Sequence, residues 1–288
     1  MKFIQIADSY LTVSDNLDLL SNAVNYLPFQ INSEAATADF LFHFFVDTSL
    51  SFPERLALSV YSNENGRYTV FYHDGIYYWQ LQRGEDHDTY CMMLDLQTKK
   101  ASINFHVSDA NTYYAANDFL RFAFIYASAA FDTLLLHASG VTYEGRGIAF
   151  VGRSGIGKST HSSLWLQFVS GAELLNDDQP AVRVRNGAAI IYGTPWSGKT
   201  PCYRPAQVPL KAILCMKQAK ENKLIPLERT VLFSRMLSSC SLMKSDRNTL
   251  PNILNTLSNI TGCVRGAVLE NRPDQEAVWI SFRFLKEL

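Results

Sequence analysis

Between residues 146 and 168 an apolar stretch, RGIAFV, runs directly into GRSGIGKST and then into HSSLWLQF. No other segment of the chain constrains the fold as tightly. Gly152, Gly155 and Gly157 remove the Cβ atoms that would stop successive backbone N–H groups from curling around an anion. A helix starting at this point adds its positive end to the same place. The spacing fits GxxxxGK[ST], and a chance match in a chain of this length is on the order of 1% at ordinary residue frequencies. The context matches as well, because the mechanism needs a strand before the loop and a helix after it. The expected phosphate cradle is Gly152, Ser154, Gly155, Ile156, Gly157, Lys158, Ser159 and Thr160. In it Lys158 reaches the β- and γ-phosphates of ATP and the Ser159 hydroxyl ligates Mg2+.

A phosphate loop alone does not define a reaction. A carboxylate must help hold the metal, and a group must activate the acceptor. Asp177 and Asp178, in AELLNDDQP, are the one pair of adjacent aspartates in the chain. They follow a short apolar run, which places them at the carboxyl end of a strand, where ligands gather in open α/β sheets. Only 18 residues separate Lys158 from Asp177, room for one helix and one strand, so the loop strand and the acidic strand are expected to be near neighbours. The guanine-reading NKxD and the LSGGQ-like signature are both missing from the sequence, which disfavours a signalling GTPase or a transport ATPase.

The run LLLHASGVTYEGRGIAFVGRSGIGKST, followed by LLNDDQPAV, resembles the catalytic core of HPr kinase/phosphorylases and their relatives. That superfamily includes the ATP-dependent phosphoenolpyruvate carboxykinases. The resemblance covers residues 133–216 and implies a mixed α/β, phosphoenolpyruvate carboxykinase-like nucleotide-binding core. It implies that one aspartate serves proton transfer and the other helps hold the metal, here Asp177 as base and Asp178 as metal ligand, with the two roles interchangeable. It also marks His137, on the strand before the loop, as lying near the transferring phosphate. Downstream, GTPWSGKTPCYR carries Trp196, Lys199 and Arg204, and the two cations are candidates for spreading charge on a transferred phosphoryl group. The ExRGxG segment of HPr kinases is missing. The nearest string, CVRGAVLE, lacks the leading Glu and the second glycine, which argues against HPr itself as the acceptor.

The rest of the chain differs in kind. Residues 1–105 hold 6 basic and 13 acidic residues, a net of −7, while 106–288 hold 20 and 14, a net of +6. Residues 1–105 also carry 18 of the 36 aromatics. RYTVFYHDGIYYWQLQ, with Asp74-Gly75 between two apolar runs, is a hairpin signal, and FLFHFFVDTSL and ASINFHV read as further strands. A helix is expected near 110–131. The domain reading is a β-rich N-terminal domain, 1–108, followed by a nucleotide-binding domain, 109–288. Later elements are expected as strands at 173–176, 181–185, 188–192 and 210–216, and helices at 252–259 and from Asp274 onward.

An overall charge of −1 argues against a protein that coats nucleic acid. Five scattered cysteines with no CxxC spacing suggest neither a disulfide framework nor a zinc site. No run is apolar enough for a membrane span, and a cytoplasmic protein is the expectation, with a homo-oligomer left open. The functional expectation is a kinase moving the γ-phosphoryl of ATP to a hydroxyl of a protein, peptide or small molecule, with a seryl hydroxyl suggested by the family. The alternatives are a nucleotide-binding accessory or regulatory protein, or a small carboxykinase-like enzyme.

Overall fold

The structure, a computed structural model, describes every residue except 34–37, 51–56, 64–65, 84–87, 105–109, 242 and 244. The expected boundary at 108/109 and the last three residues of ASINFHV lie outside the described residues. The chain divides into two compact units, Met1–Ala130 with Met243–Thr249, and Phe131–Leu242 with Leu250–Leu288.

The first unit is a nine-stranded sheet in the order Gln30–Ile31, Lys2–Ile6, Ser9–Val13, Asp39–Val46, Lys100–Asn104, Asp88–Asp95, Ile76–Arg83, Gly66–His73, Ser59–Asn63. The DG turn closes its central hairpin, with His73 opposite Ile76 and positive φ at both Asp74 and Gly75. Strict alternation buries Tyr77, Trp79 and Leu81 on one face, with Tyr68 and Val70 beside them. The helix Ala110–Ser128 covers that face. Tyr126 meets the Trp79 ring edge-on at 5.0 Å, and Tyr68 Oη donates to Asp118 Oδ2 at 2.5 Å. The sequence reading placed this helix in the second domain, but its apolar stripe is buried against the first sheet. Residues 243–249 group with the same unit, where Tyr77 Oη donates to Asp246 Oδ1 at 2.8 Å.

The second unit is a sheet with helices on both faces. Arg146–Val151, Gln207–Gln218 and Arg265–Asn271 run parallel to one another. Ala138–Tyr143 pairs antiparallel with Arg146–Val151 on one side and with Glu173–Asp178 on the other. The loop strand and the acidic strand are therefore one strand apart rather than adjacent, and both run in the same direction. Within Gln207–Gln218, Ala212, Leu214 and Met216 alternate with Ile213 and Cys215, so the strand is buried on both faces. One face packs on the helices Arg229–Met236 and Leu250–Cys263 through Leu232, Met236, Leu257 and Ile260. The other packs on Lys158–Phe168 and Gln275–Lys286 through Trp165, Val278 and Leu285. Asp274 caps the last helix, its side chain accepting from Ala277 N–H at 3.1 Å. The chain is thus a mixed α/β protein, as the sequence suggested at that level.

One expected element is broken. DTLLLHASGV reads as a single strand, but the structure ends one strand at Leu135 and starts the next at Ala138. Leu136 makes an isolated bridge to Cys240, and His137 N–H donates to Ser239 O at 2.6 Å. His137 thus stands in a gap between strands and not on one.

Candidate active site

The strand directions bring the loop, the aspartates and His137 to one edge of the second sheet. Arg146–Val151 feeds the loop at its carboxyl end, Glu173–Asp178 ends on the acidic pair, and the antiparallel Ala138–Tyr143 begins beside His137. Carboxyl edges of this kind collect ligands, because loops and helix N-termini converge there.

The loop has the backbone that its glycines were expected to allow. Gly152, Gly155 and Gly157 have φ of 152°, 76° and 108°, where an L side chain is strained. Helix Lys158–Phe168 begins without a side-chain cap, so the first-turn N–H groups are left for another partner. Ser159 and Thr160 are exposed at that end.

Lys158 is buried, only 8% exposed, and its Nζ is engaged within the fold. It donates to Gly152 O at 2.9 Å, to Arg153 O at 3.3 Å and to His137 Nε2 at 2.9 Å. The other ring nitrogen, His137 Nδ1, lies 2.9 Å from Asp178 Oδ1. A lysine ammonium has donors only, so Nε2 accepts and Nδ1 carries the proton given to the carboxylate. The result is a continuous chain Lys158–His137–Asp178 linking the glycine loop to the acidic pair. Burial pulls the Lys158 pKa below its ordinary value, and the charges of Asp178 and Asp177 partly oppose that shift.

Asp177 is paired in register with Ser139, so both side chains lie on the same face of the sheet. Ser139 Oγ accepts there from Ser162 Oγ, on the loop helix, at 2.6 Å. Asp177 is therefore turned to the face that carries the helix after the glycine loop. It is 3% exposed, and its Oδ2 is buried without a hydrogen-bond partner. An orphaned carboxylate oxygen is costly, which fits a group that awaits a cation or a proton. Among the described residues no group of three His, Cys, Asp or Glu side chains is placed to hold a metal ion. Mg2+ commonly binds through one or two carboxylates with phosphate oxygens completing the shell, so Ser159 with the aspartate pair suits a nucleotide-borne Mg2+.

Of the two downstream cations, Arg204 lies away from the acidic pair. Arg204 donates to Leu174 O at 2.9 Å and to Glu173 Oε2 at 2.7 Å, at the opposite end of the acidic strand. Five residue steps along the strand, roughly 16 Å, separate Glu173 from Asp178. Lys199 is exposed on its loop. Trp196 is buried and acts through its backbone carbonyl, which accepts from Asn176 Nδ2 at 3.2 Å.

Several contacts at the site had no sequence signal of their own. Asn176, Thr194, Ser197 and Gly198 surround the acidic pair. Ser139 and Ser162 tie the central strand to the loop helix. The NDD string places Asn176 beside the pair, but its partners become visible only once residues 194–198 fold back onto the strand.

No family model matches the sequence, and no curated protein matches it. Among solved structures the chain is similar to the HPr(Ser) kinase/phosphatase from Coxiella burnetii, at 13% identity and a TM-score of 0.33, over 53% of this chain and 88% of that one. At that level the likeness carries no argument about chemistry, which rests on the arrangement of Lys158, His137, Asp177 and Asp178.

Proposed function

We propose that the second unit is an ATP-dependent phosphotransferase related to the HPr kinases, with a phosphoenolpyruvate carboxykinase-like core, moving the γ-phosphoryl group to a hydroxyl. The observation that carries the proposal is the Lys158–His137–Asp178 chain, with the orphaned Asp177 beside it, at the mouth of an uncapped glycine loop. A structural glycine turn would need neither the buried lysine nor a carboxylate oxygen buried without a hydrogen-bond partner.

In this reading the first-turn N–H groups and the loop amides take the β-phosphate. Lys158 leaves Gly152 O, Arg153 O and His137 Nε2 for the β- and γ-oxygens, and His137, still held by Asp178, faces the transferring group. Asp177 accepts the acceptor hydroxyl's proton as the new O–P bond forms and the bond to ADP breaks. Ser159 and Asp178 would hold Mg2+, which would supply charge neutralisation at the phosphate oxygens. Positioning and charge stabilisation carry such a transfer. The acceptor is a hydroxyl of a protein, peptide or small molecule, and the acidic first unit is the part of the chain available to select it. A cytoplasmic setting fits the free thiols of all five cysteines and the lack, among the described residues, of a helix able to cross a membrane.

Calorimetry with Mg-ATP on wild type and Lys158→Ala tests the binding half. Equal affinities would remove the phosphate-loop assignment. Asp177→Asn tests the chemical half, with nucleotide binding retained and phosphoryl transfer abolished. Tight Mg-ATP binding by wild type with no turnover on any offered hydroxyl would favour the accessory, non-catalytic reading.

A further inference from the structure

Asp178 ends its strand at a φ of 145°, a region that non-glycine residues rarely occupy. Such a conformation persists only where the surroundings over-determine it. The surroundings here are specific. Asn176, two residues before, is completely buried. Its Oδ1 accepts from Gln179 N–H at 2.9 Å, closing a turn across the acidic pair. Its Nδ2 donates to Thr194 O at 3.2 Å, Thr194 Oγ1 at 3.3 Å and Trp196 O at 3.2 Å. Thr194 Oγ1 in turn donates to Gln179 O at 2.8 Å. On the other side, Ser197 Oγ donates to Asp177 O at 3.2 Å, Gly198 N–H donates to the same oxygen, and Ser197 forms an isolated bridge with Asp178. A Cβ on Gly198 would stand 3.0 Å from Asp177 O and 3.2 Å from Asp178 Cβ.

We infer that Asn176 is the positioning residue of the acidic pair, acting through the 194–198 loop, which serves as a backbone clamp on Asp177 and Asp178 and not as a cation donor. The inference rests on the proposed phosphotransfer reading for its consequence, though not for its geometry. The hydrogen bonds of Asn176 go to the backbone around the pair and to Thr194. It sets the backbone from which Asp178 reaches His137 Nδ1 and from which Asp177 faces the loop helix. The GTPWSG string then has a mechanical meaning. Thr194 and Asn176 tie it to the strand, Trp196 anchors it in the interior, and Gly198 is small because the aspartates lie against it.

The test uses Asn176→Ala and Gly198→Ala in the full chain, with Thr194→Ser as the variant that keeps the clamp's hydroxyl. Amide exchange is read first and needs no ligand. Asn176→Ala is expected to lower protection of the Gln179 amide at least about tenfold while amides of the loop helix keep theirs. ATP affinity without metal is expected to stay within about twofold of wild type, whereas the gain in affinity on adding Mg2+ falls about tenfold or more in both alanine variants. Thr194→Ser is expected to behave as wild type. A general loss of stability would weaken both affinities together, so the split between them separates positioning from scaffolding. If Asn176→Ala does not fold, Gly198→Ala, at an exposed position, decides alone. Unchanged Mg2+ enhancement in a folded Gly198→Ala, or unchanged Gln179 protection in a folded Asn176→Ala, overturns the inference. Failure of wild type to bind Mg-ATP would overturn the functional reading instead, and the exchange measurement would still judge the clamp.

Discussion

Lys158→Met gives two effects of opposite direction, and their combination is hard to obtain from any other role for this residue. In the ligand-free fold Lys158 holds its charge at a cost, since burial lowers its pKa from an ordinary 10.5 despite the nearby aspartates. Between the lowered value and 10.5 the unfolded chain keeps a proton that the folded chain has released, so stability rises with pH there. Below that window both states are charged and the fold bears the full penalty. Methionine keeps the apolar stem and a high helix propensity and removes the charge. The acceptors it abandons are Gly152 O, Arg153 O and His137 Nε2, all in residues with access to water. The ligand-free melting temperature should therefore hold or rise. With nucleotide the direction reverses. At a concentration a hundred times Kd, Mg-ATP adds about 2.7 kcal/mol to wild type. At roughly 2–4 °C per kcal/mol that is an upward shift of about 5–11 °C. Losing two charge-assisted bonds to phosphate, at about 1.5–3 kcal/mol each, weakens binding by roughly 10²- to 10⁴-fold. The same nucleotide concentration then sits at or below Kd, adds at most about 0.4 kcal/mol, and moves the midpoint by under about 2 °C. Thermal scans with and without Mg-ATP read both quantities. A variant that melts several degrees lower without ligand yet keeps the full nucleotide shift would refute the reasoning, because Lys158 would then be a structural lysine.

Asp177→Asn should abolish phosphoryl transfer and also raise ligand-free stability by about 1–3 kcal/mol, because a neutral amide is cheaper to bury than a carboxylate with an unpartnered oxygen, and a transfer assay beside chemical denaturation checks both effects. His161 is almost fully buried and burial holds its pKa down to about 4. Between the ordinary 6.5 and that value the unfolded chain binds a proton the fold refuses, so stability is lost on acidification through this window, by roughly 3 kcal/mol at the full span. His161→Gln should flatten the melting profile between pH 6.5 and 4.5, and an unchanged slope would assign the acid sensitivity elsewhere. Arg204→Ala should leave Mg-ATP affinity unchanged and cost under about 1 kcal/mol, because its partner Glu173 is a solvent-exposed ion pair far along the strand from Asp178. A large drop in calorimetric affinity would mean that Arg204 leaves Glu173 for the nucleotide.

What was legible in the sequence was what neighbours in sequence determine. An apolar run, three glycines and a helix-forming segment are consecutive, and their geometry follows from local sterics. The Asp74-Gly75 hairpin and the Asp274 cap were legible for the same reason. The lengths of the later strands and helices were less so. Gln207–Gln218 begins three residues before the apolar run, since Gln207, Val208 and Pro209 pair with the 188–192 strand before the chain turns into the parallel sheet. Helix Ala110–Ser128 read as belonging to the second domain because its sequence shows an apolar stripe without naming the sheet that covers it.

The site shows the same division at finer scale, and the division matters for its chemistry. Lys158, Asp177 and Asp178 could be named from residue type and spacing. The gap that frees His137 could not, because it depends on residues 239–241 competing for the backbone of 135–137. If Leu136–His137 continued as ladder, the His137 ring would alternate with its neighbours across a packed sheet. In the gap it instead accepts from Lys158 and donates to Asp178 at once. The same holds for Asp178, whose positive φ would be unfavourable in an isolated strand and is imposed by Asn176, Gln179 and Ser197. Two irregularities, a strand break and a strained residue, therefore face each other across the 2.9 Å His137–Asp178 contact. Regular pairing through both positions would give a more stable sheet edge, and it would also separate the lysine of the glycine loop from the carboxylates. The departures from regular structure fall where the chain needs a charge-bearing connection, and propensity-based reading is least able to see them at that place.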